Sequence, residues 1–300
     1  MKKNTAWIRG VVWVLTGAVL FSSKAIFIKL AYRYDVTAVP LLALRMGFSF
    51  PAFAAMAAIY RRRESPEPIT GRDYLFVLLT GLSGYYFASL FDFIGLEYVN
   101  AGIERLILFS YPTLVVLFSW LFFRKRISRI QAAALALTYI GIAIVMQSDL
   151  RAGSSPEQLL TGSVWIFLCS VCYALYLVSS GHLIPKYGSV RYTANAMMAA
   201  SAAIFIHAAL TEGASLFSYA PEVYLYAFLM AVFATILPSL LIAEGIRHIG
   251  AAPASIIGAV GPVATILMAW LVLGETITAL QLLGSAIVML GVGIISVKKE

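Results

Sequence analysis

The sequence predicts an all-α membrane protein whose ten transmembrane helices form two inverted five-helix repeats, on three observations. First, 61% of the 300 residues are hydrophobic and only 12% charged, against roughly 45 to 50% and about 25% in soluble domains, so the charges are too few to cover a water-facing surface. Second, the chain contains a copy of itself: shifted by 150 positions, Ala101, Pro112, Trp120, Leu121, Gln131 and Gly141 fall on Ala251, Pro262, Trp270, Leu271, Gln281 and Gly291. Third, basic residues gather at alternate ends of the apolar stretches, the pattern that orients a multi-pass protein.

Each stretch is near twenty residues, which at about 1.5 Å per residue spans the roughly 30 Å hydrocarbon core. The first, 9–31, follows Met1-Lys2-Lys3 in the manner of a signal peptide. Its Gly10 and Trp13 return as Gly162 and Trp165, so it belongs to the repeat and is expected to be retained. Spans at 37–60 and 74–96 flank Arg61-Arg62-Arg63 and Arg72, and spans at 101–123 and 128–147 flank Arg124-Lys125-Arg126. The second copy runs through 162–183 and 191–211, with Lys186 between them, then 222–245, 252–273 and 278–297. Little chain is left outside the spans for a soluble active site, a nucleotide-binding fold or a sensor.

With the N-terminus cytoplasmic, these basic turns and the ends Lys2-Lys3 and Lys298-Lys299 lie inside, and the outer loops hold only Arg33 and Arg151. Both termini are therefore expected on the cytoplasmic side. Five spans is an odd number, so the second repeat (162–297) must enter the bilayer upside down relative to the first (9–147). Accordingly Arg124-Lys125-Arg126, an inner basic turn, aligns with Gly274-Glu275-Thr276, an outer acidic one. Inverted repeats place a transport site near the midplane between the halves.

The five-plus-five layout, with Leu273-Gly274-Glu275 followed by Gln281, Gly284 and Gly291, resembles the EamA-type branch of the drug/metabolite transporter superfamily. The resemblance covers about 9–297 and is strongest in the second copy. It implies a ten-helix bundle around a central cavity in the bacterial inner membrane and, most often, export of amino acids, their derivatives or other small metabolites. The first copy departs from the pattern: Arg124-Lys125-Arg126 stands where many members keep a Gly-Glu pair, and Gly102-Ile103-Glu104-Arg105-Leu106 carries two charges.

An ionised group near the middle of a span costs about 2.5 to 3.5 kcal/mol on insertion scales. Lys24, Arg45, Asp92, Glu104 and Arg105 therefore each require a local reason, and by position all five converge on the outer half of the membrane. Glu104 and Arg105 are neighbours in sequence and cannot face one another on a helix, so their partners come from other helices. Two readings stay open. Lys24 and Arg45 bind a carboxylate-bearing or zwitterionic substrate, or the five residues form an ion-pair network that fixes packing or gates the outer side, with Asp92 and Glu104 snorkelling to the headgroups as a variant of the second reading. The 150-residue shift turns Asp92, Glu104 and Arg105 into Ile242, Ala254 and Ser255. Charge confined to one copy fits a cavity with a polar end and an apolar wall, which suits an amphipathic metabolite.

Pro112 and Pro262 stand mid-span at equivalent positions, each freeing a carbonyl one turn earlier; they serve as hinges or cavity lining, or are static kinks. Tyr85 and Tyr111 are candidate cavity walls or ordinary packing, while Trp7, Trp13 and Tyr32 read as interfacial anchors. Cys169 and Cys172 lie within the sixth span without histidine company and read as small packing residues. No nucleophile with a base, phosphate-cradling loop, cofactor site or metal-binding set is legible.

The expected function is secondary transport of a small-molecule substrate by alternating access, export in the first instance. An importer of a vitamin-like metabolite and a multidrug exporter are the alternatives within transport. A membrane-embedded lipid enzyme or a receptor has no need of two inverted halves. Lipids are the surroundings and nucleic acid is not a partner; a monomer is compatible with the chain.

Overall fold

The computed structural model describes residues 2–60, 70–123, 129–151, 155–213, 216, 218–249, 254, 257, 258 and 260–297. The basic runs 61–63, 124–126 and 298–299, together with Ala251 and Ser255, lie outside the described residues.

Eleven helices make ten rods among the described residues. α1 (Lys2–Ala31) contains no proline and ends in a 3-10 turn, Tyr32–Tyr34, before Asp35 takes a left-handed φ of 54°. α2 (Ala38–Ile59) accommodates Pro51. α3 (Gly71–Tyr98) starts at a capping box in which Thr70 and Asp73 satisfy each other's backbone N–H, removing two of the unpaired donors at a helix start. The fourth span is broken: α4 (Ala101–Leu108) is capped by Asn100 Oδ1, which accepts from Ile103 N at 2.8 Å, and α5 (Tyr111–Phe123) resumes after two turn residues. α6 (Arg129–Arg151) completes the first repeat. α7 (Pro156–Tyr187) and α9 (Pro221–Ile249) begin with proline, whose missing N–H costs nothing at that position. Gly188, with φ 79°, separates α7 from α8 (Ser189–Thr211). α10 (Val260–Leu273) stops at Gly274, whose φ of 72° suits a residue without Cβ, and α11 (Ala279–Val297) follows. Among the described residues seven of the rods are long and apolar enough to cross a membrane, and α10 and α11 contribute the apolar stretches Val260–Leu273 and Ala279–Gly291.

The packing obeys an inverted two-fold. α1 lies along α9 as α7 lies along α3, while α2 pairs with α8 and α6 with α11. Three of the four crossings are made close by glycine, at Gly10·Gly245, Gly95·Gly162 and Gly141·Gly284. A Cβ on Gly245 would stand 3.1 Å from the Gly10 carbonyl oxygen; a Cβ on Gly95, its counterpart one repeat earlier, would stand 3.2 Å from that of Gly162. The first crossing lies where α1 begins and the second at the opposite end of the bundle.

Two π-turns sit at the same repeat offset, Leu82–Phe87 in α3 and Val232–Ile236 in α9. In α9 Pro238 follows immediately, and an i to i−5 bond from Leu237 N to Val232 O widens the turn ahead of its ring. α3 keeps the same geometry, Ala88 N to Ser83 O, without a proline.

The solvent logic of a water-soluble protein is reversed. Leu210, Leu271 and Ile206 are exposed, whereas Lys24, Arg45, Asp92, Glu104 and Arg105 are buried. Apolar side chains meet lipid at no cost, and polar groups are satisfied inside.

Candidate functional site

Three of the sequence-predicted charges meet at one point. Lys24 from α1 places Nζ 2.6 Å from Asp92 Oδ2 on α3 and 3.9 Å from Glu104 Oε1 on α4, with side chains 7%, 1% and 0% exposed. Asp92 and Glu104 are thus not at the headgroups, which overturns the snorkelling variant: both point inward because Lys24 supplies their counter-charge.

Arg105 turns the other way, as its neighbouring position on a helix requires. Its guanidinium reaches Ser22 Oγ at 3.5 Å and packs on Gly261, where a Cβ would come within 2.5 Å of Nη2. Phe21 lies under both cations, its ring centre 5.0 Å from Lys24 Nζ and 5.4 Å from Arg105 Cζ, a favourable arrangement for desolvated cations. Arg45 on α2 stands apart from this group, donating to Ser89 Oγ at 2.9 Å and lying over Phe93 at 5.0 Å.

Lys24 and Arg45 line the blind end of a cavity of about 910 Å³, its mouth included. From there it runs past Tyr85, Tyr173 and Tyr176 toward Ile184 and Ile246, near the end of the bundle where α1 begins. Tyr176 stacks between Tyr173 at 6.0 Å and Tyr192 at 5.9 Å, and its hydroxyl meets that of Tyr85 at 2.8 Å. α9 contributes Thr235, Ser239, Ile242 and Ala243. Ile242, the counterpart of Asp92, is therefore part of a largely apolar wall facing the cations. Tyr111 stands one ring behind, edge-on to Tyr173 at 5.0 Å, and is not among the lining residues.

Beyond the cations, at the far end, two glutamates tie helix starts to neighbouring helices. Glu97 Oε1 accepts from Ala38 N at 2.9 Å, and Glu275 Oε1 accepts from Ala101 N at 3.1 Å. Each carboxylate caps the N-terminus of another helix, where the helix dipole favours negative charge. Tyr32 lies at the same end: its hydroxyl donates to Phe93 O at 2.7 Å, so it faces the protein rather than the interface as an anchor.

Pro112 is the second residue of α5 and has no N–H to offer Leu108 O. Ser170 Oγ on α7, which is 3.0 Å from Ile166 O of its own helix, lies 3.2 Å from that carbonyl and 3.3 Å from Ile107 O, so its one proton is shared among the three. Pro262 lies in α10 next to Gly261, whose carbonyl accepts from Ser22 Oγ at 3.1 Å; Ala254, Ile257 and Gly258 ahead of it are helical as well, and residues 255, 256 and 259 lie outside the described ones. Cys169 lines the cavity, 4.0 Å from Asp92 Oδ1. Sequence reasoning missed Phe21, Ser22, Ser89, Ser170 and the two capping glutamates. The first four are neutral residues that carry no insertion penalty to flag them, and Glu97 and Glu275 stand at span ends where acidic residues are unremarkable.

The EamA-like transporter family model matches residues 8–147 and 160–297. An uncharacterized transporter of Bacillus subtilis (strain 168), YcbK, is 33% identical over 282 residues, covering 92% of this chain and 88% of the relative. An uncharacterized transporter of Archaeoglobus fulgidus is 23% identical over 90% of this chain and 93% of its own. A solved crystal structure shares the fold with a TM-score of 0.66 over 95% of each chain at 18% identity. With ten helical rods, an inverted two-fold and two family matches that together span nearly all of it, the chain belongs to the EamA-like transporter family and is a multi-pass membrane transporter of a small molecule.

Proposed function

We propose that this transporter exports an amphipathic metabolite bearing a carboxylate, an amino acid or a derivative of one, across the bacterial inner membrane by alternating access. The observation that carries this reading is the cavity: two buried cations, Lys24 and Arg45, at its blind end, and tyrosines with apolar residues along its walls. A carboxylate pairs with the cations, and an apolar body displaces poorly held water from the rings. The repeats 9–147 and 162–297 are the two halves that exchange access, and both line the cavity within one molecule. With both termini cytoplasmic, the cavity faces the cytoplasm in the state described, and Glu97, Tyr32 and Glu275 close the periplasmic side. Pro112 and Pro262 stand where helices of the two halves must bend relative to each other.

The test is expression in a tolerant bacterial host challenged with amino acids and their toxic analogues. Raised resistance with lowered cellular content supports export. Raised sensitivity identifies an importer, and an unchanged response to every carboxylate refutes the substrate class. A reporter fused after Lys299 is active only in the cytoplasm on this reading.

A further inference from the structure

The buried charges around the blind end of the cavity do not balance. Lys24 is answered by Asp92 at 2.6 Å and Glu104 at 3.9 Å. Among the described residues the partners of Arg45 are neutral, Ser89 Oγ at 2.9 Å and the Phe93 ring at 5.0 Å, and its Nε is buried without any. Arg105 likewise meets Ser22 and the Phe21 ring. Three buried cations thus stand against two buried carboxylates, and a proton on either carboxyl only enlarges the surplus. The walls offer nothing to hold a further cation. Among the described residues that line the cavity none is acidic. The aromatic faces are already covered: Tyr176 is stacked between Tyr173 and Tyr192 at interplanar angles of 22° and 20°, and Tyr111 is set edge-on against Tyr173. An ammonium needs an open ring face to be held by aromatic groups.

We propose that the substrate binds as a monoanion: an amphipathic monocarboxylate whose amine is acylated or absent, with the free zwitterionic amino acid the weaker ligand. Arg45, the lining cation without a carboxylate partner, takes the carboxylate, and one negative charge cancels the surplus. A zwitterion leaves that surplus standing. Its ammonium also enters a space lined by two cations and no acid, and a desolvated charge without a partner is costly. Acylation turns the same nitrogen into a neutral N–H, which asks only for a hydrogen-bond acceptor. Thr235 on the π-turn of α9 lines the cavity and has a buried hydroxyl without a partner; a hydroxyl accepts such a bond. A bare anion satisfies Arg45 and leaves the apolar wall of Ile242, Ala243 and Ile246 wet, so the charge and the apolar body are both required.

This proposal rests on the reading of the cavity as a carboxylate transport site, and the experiment tells the two failures apart. Thermal unfolding of the purified full chain is followed with leucine, methionine and phenylalanine, each as N-acetyl derivative, free amino acid and amide, and with acetate. At about pH 6.5 carboxylates are ionised and free amines protonated, so the three forms share a side chain and differ in net charge. A ligand that binds the folded protein raises its midpoint. For at least one side chain the N-acetyl derivative is expected to reach half-maximal stabilisation at a concentration about tenfold or more below that of the free amino acid. The amides do not stabilise, and acetate does so far more weakly. Arg45→Gln loses the preference for the N-acetyl form, and Arg45→Lys, which keeps the charge, retains part of it. The wild-type series is decisive even where Arg45→Gln does not fold. Free amino acids that stabilise as well as their N-acetyl forms, stabilisation by an amide, acetate matching the best N-acetyl derivative, or a preference that survives in Arg45→Gln each overturn the monoanion site and leave the transport reading standing. Stabilisation by none of the carboxylates refutes the carboxylate reading of the cavity itself.

Discussion

The hydroxyl of Ser170 stands 3.2 Å from the carbonyl oxygen of Leu108, the acceptor for which Pro112 has no N–H. A break in a membrane helix persists only where a neighbour re-satisfies the freed backbone. Here the neighbour is α7, the first helix of the other repeat. The break in the fourth span is thereby tied to the interface between the halves.

Ser170→Ala removes the hydroxyl that this carbonyl shares with Ile107 O and Ile166 O, and loss of a hydrogen bond to a buried carbonyl costs about 1 to 3 kcal/mol. In a Pro112→Ala background a backbone N–H is available, so the same substitution costs less. Thermal unfolding in detergent across the four-member cycle measures the coupling, and equal costs in both backgrounds refute it.

Arg45→Ala removes one of the two cavity cations along with its bond to Ser89. Transport of a carboxylate substrate is expected to fall at least about tenfold, the equivalent of about 1.4 kcal/mol. Arg45→Lys retains part of the activity because charge persists without the fork geometry. Initial rates in proteoliposomes decide the matter, and wild-type rates for Arg45→Ala exclude the residue from substrate binding.

The crossing glycines are expected to be intolerant. Gly95→Ala forces its methyl toward Gly162 O and the Ile166 side chain, and overpacking of this kind costs about 1 to 3 kcal/mol. Gly47, with nothing within 4 Å of an added Cβ, serves as control: Gly47→Ala is neutral or stabilises by up to about 1 kcal/mol through helix propensity. Melting temperatures of the two variants separate these outcomes.

The closure at the far end is expected to control access. In a Cys172→Ser background, Cys169 on the cavity wall reacts with a small membrane-impermeant thiol reagent from the side bearing the termini and not from the other. Glu97→Ala combined with Glu275→Ala removes both helix-capping carboxylates, shifts the population toward opening at the far end, and permits labelling from that side. Unchanged sidedness shows that these two glutamates are not the barrier.

The spans, the duplication and its inversion were legible in the sequence because hydrocarbon imposes a one-dimensional rule: about twenty apolar residues per crossing, with basic residues sorted by side. The same rule exposed the site candidates, since an intramembrane charge is conspicuous by its cost, and Lys24, Arg45, Asp92, Glu104 and Arg105 were found that way. Partnership was not legible. Lys24 meets Asp92 and Glu104, while Arg45 stands apart with Ser89, because helix crossings at Gly10·Gly245 and Gly95·Gly162 set which faces of α1, α3 and α4 converge. The matching π-turns of α3 and α9 were equally hidden, since Pro238 marks one and nothing in sequence marks the other. Only the tertiary structure decided that one lysine serves both the cavity and the acid pair, because such an arrangement depends on the rotation of three helices about their axes, and inside an apolar bundle no periodicity of polar residues records that rotation.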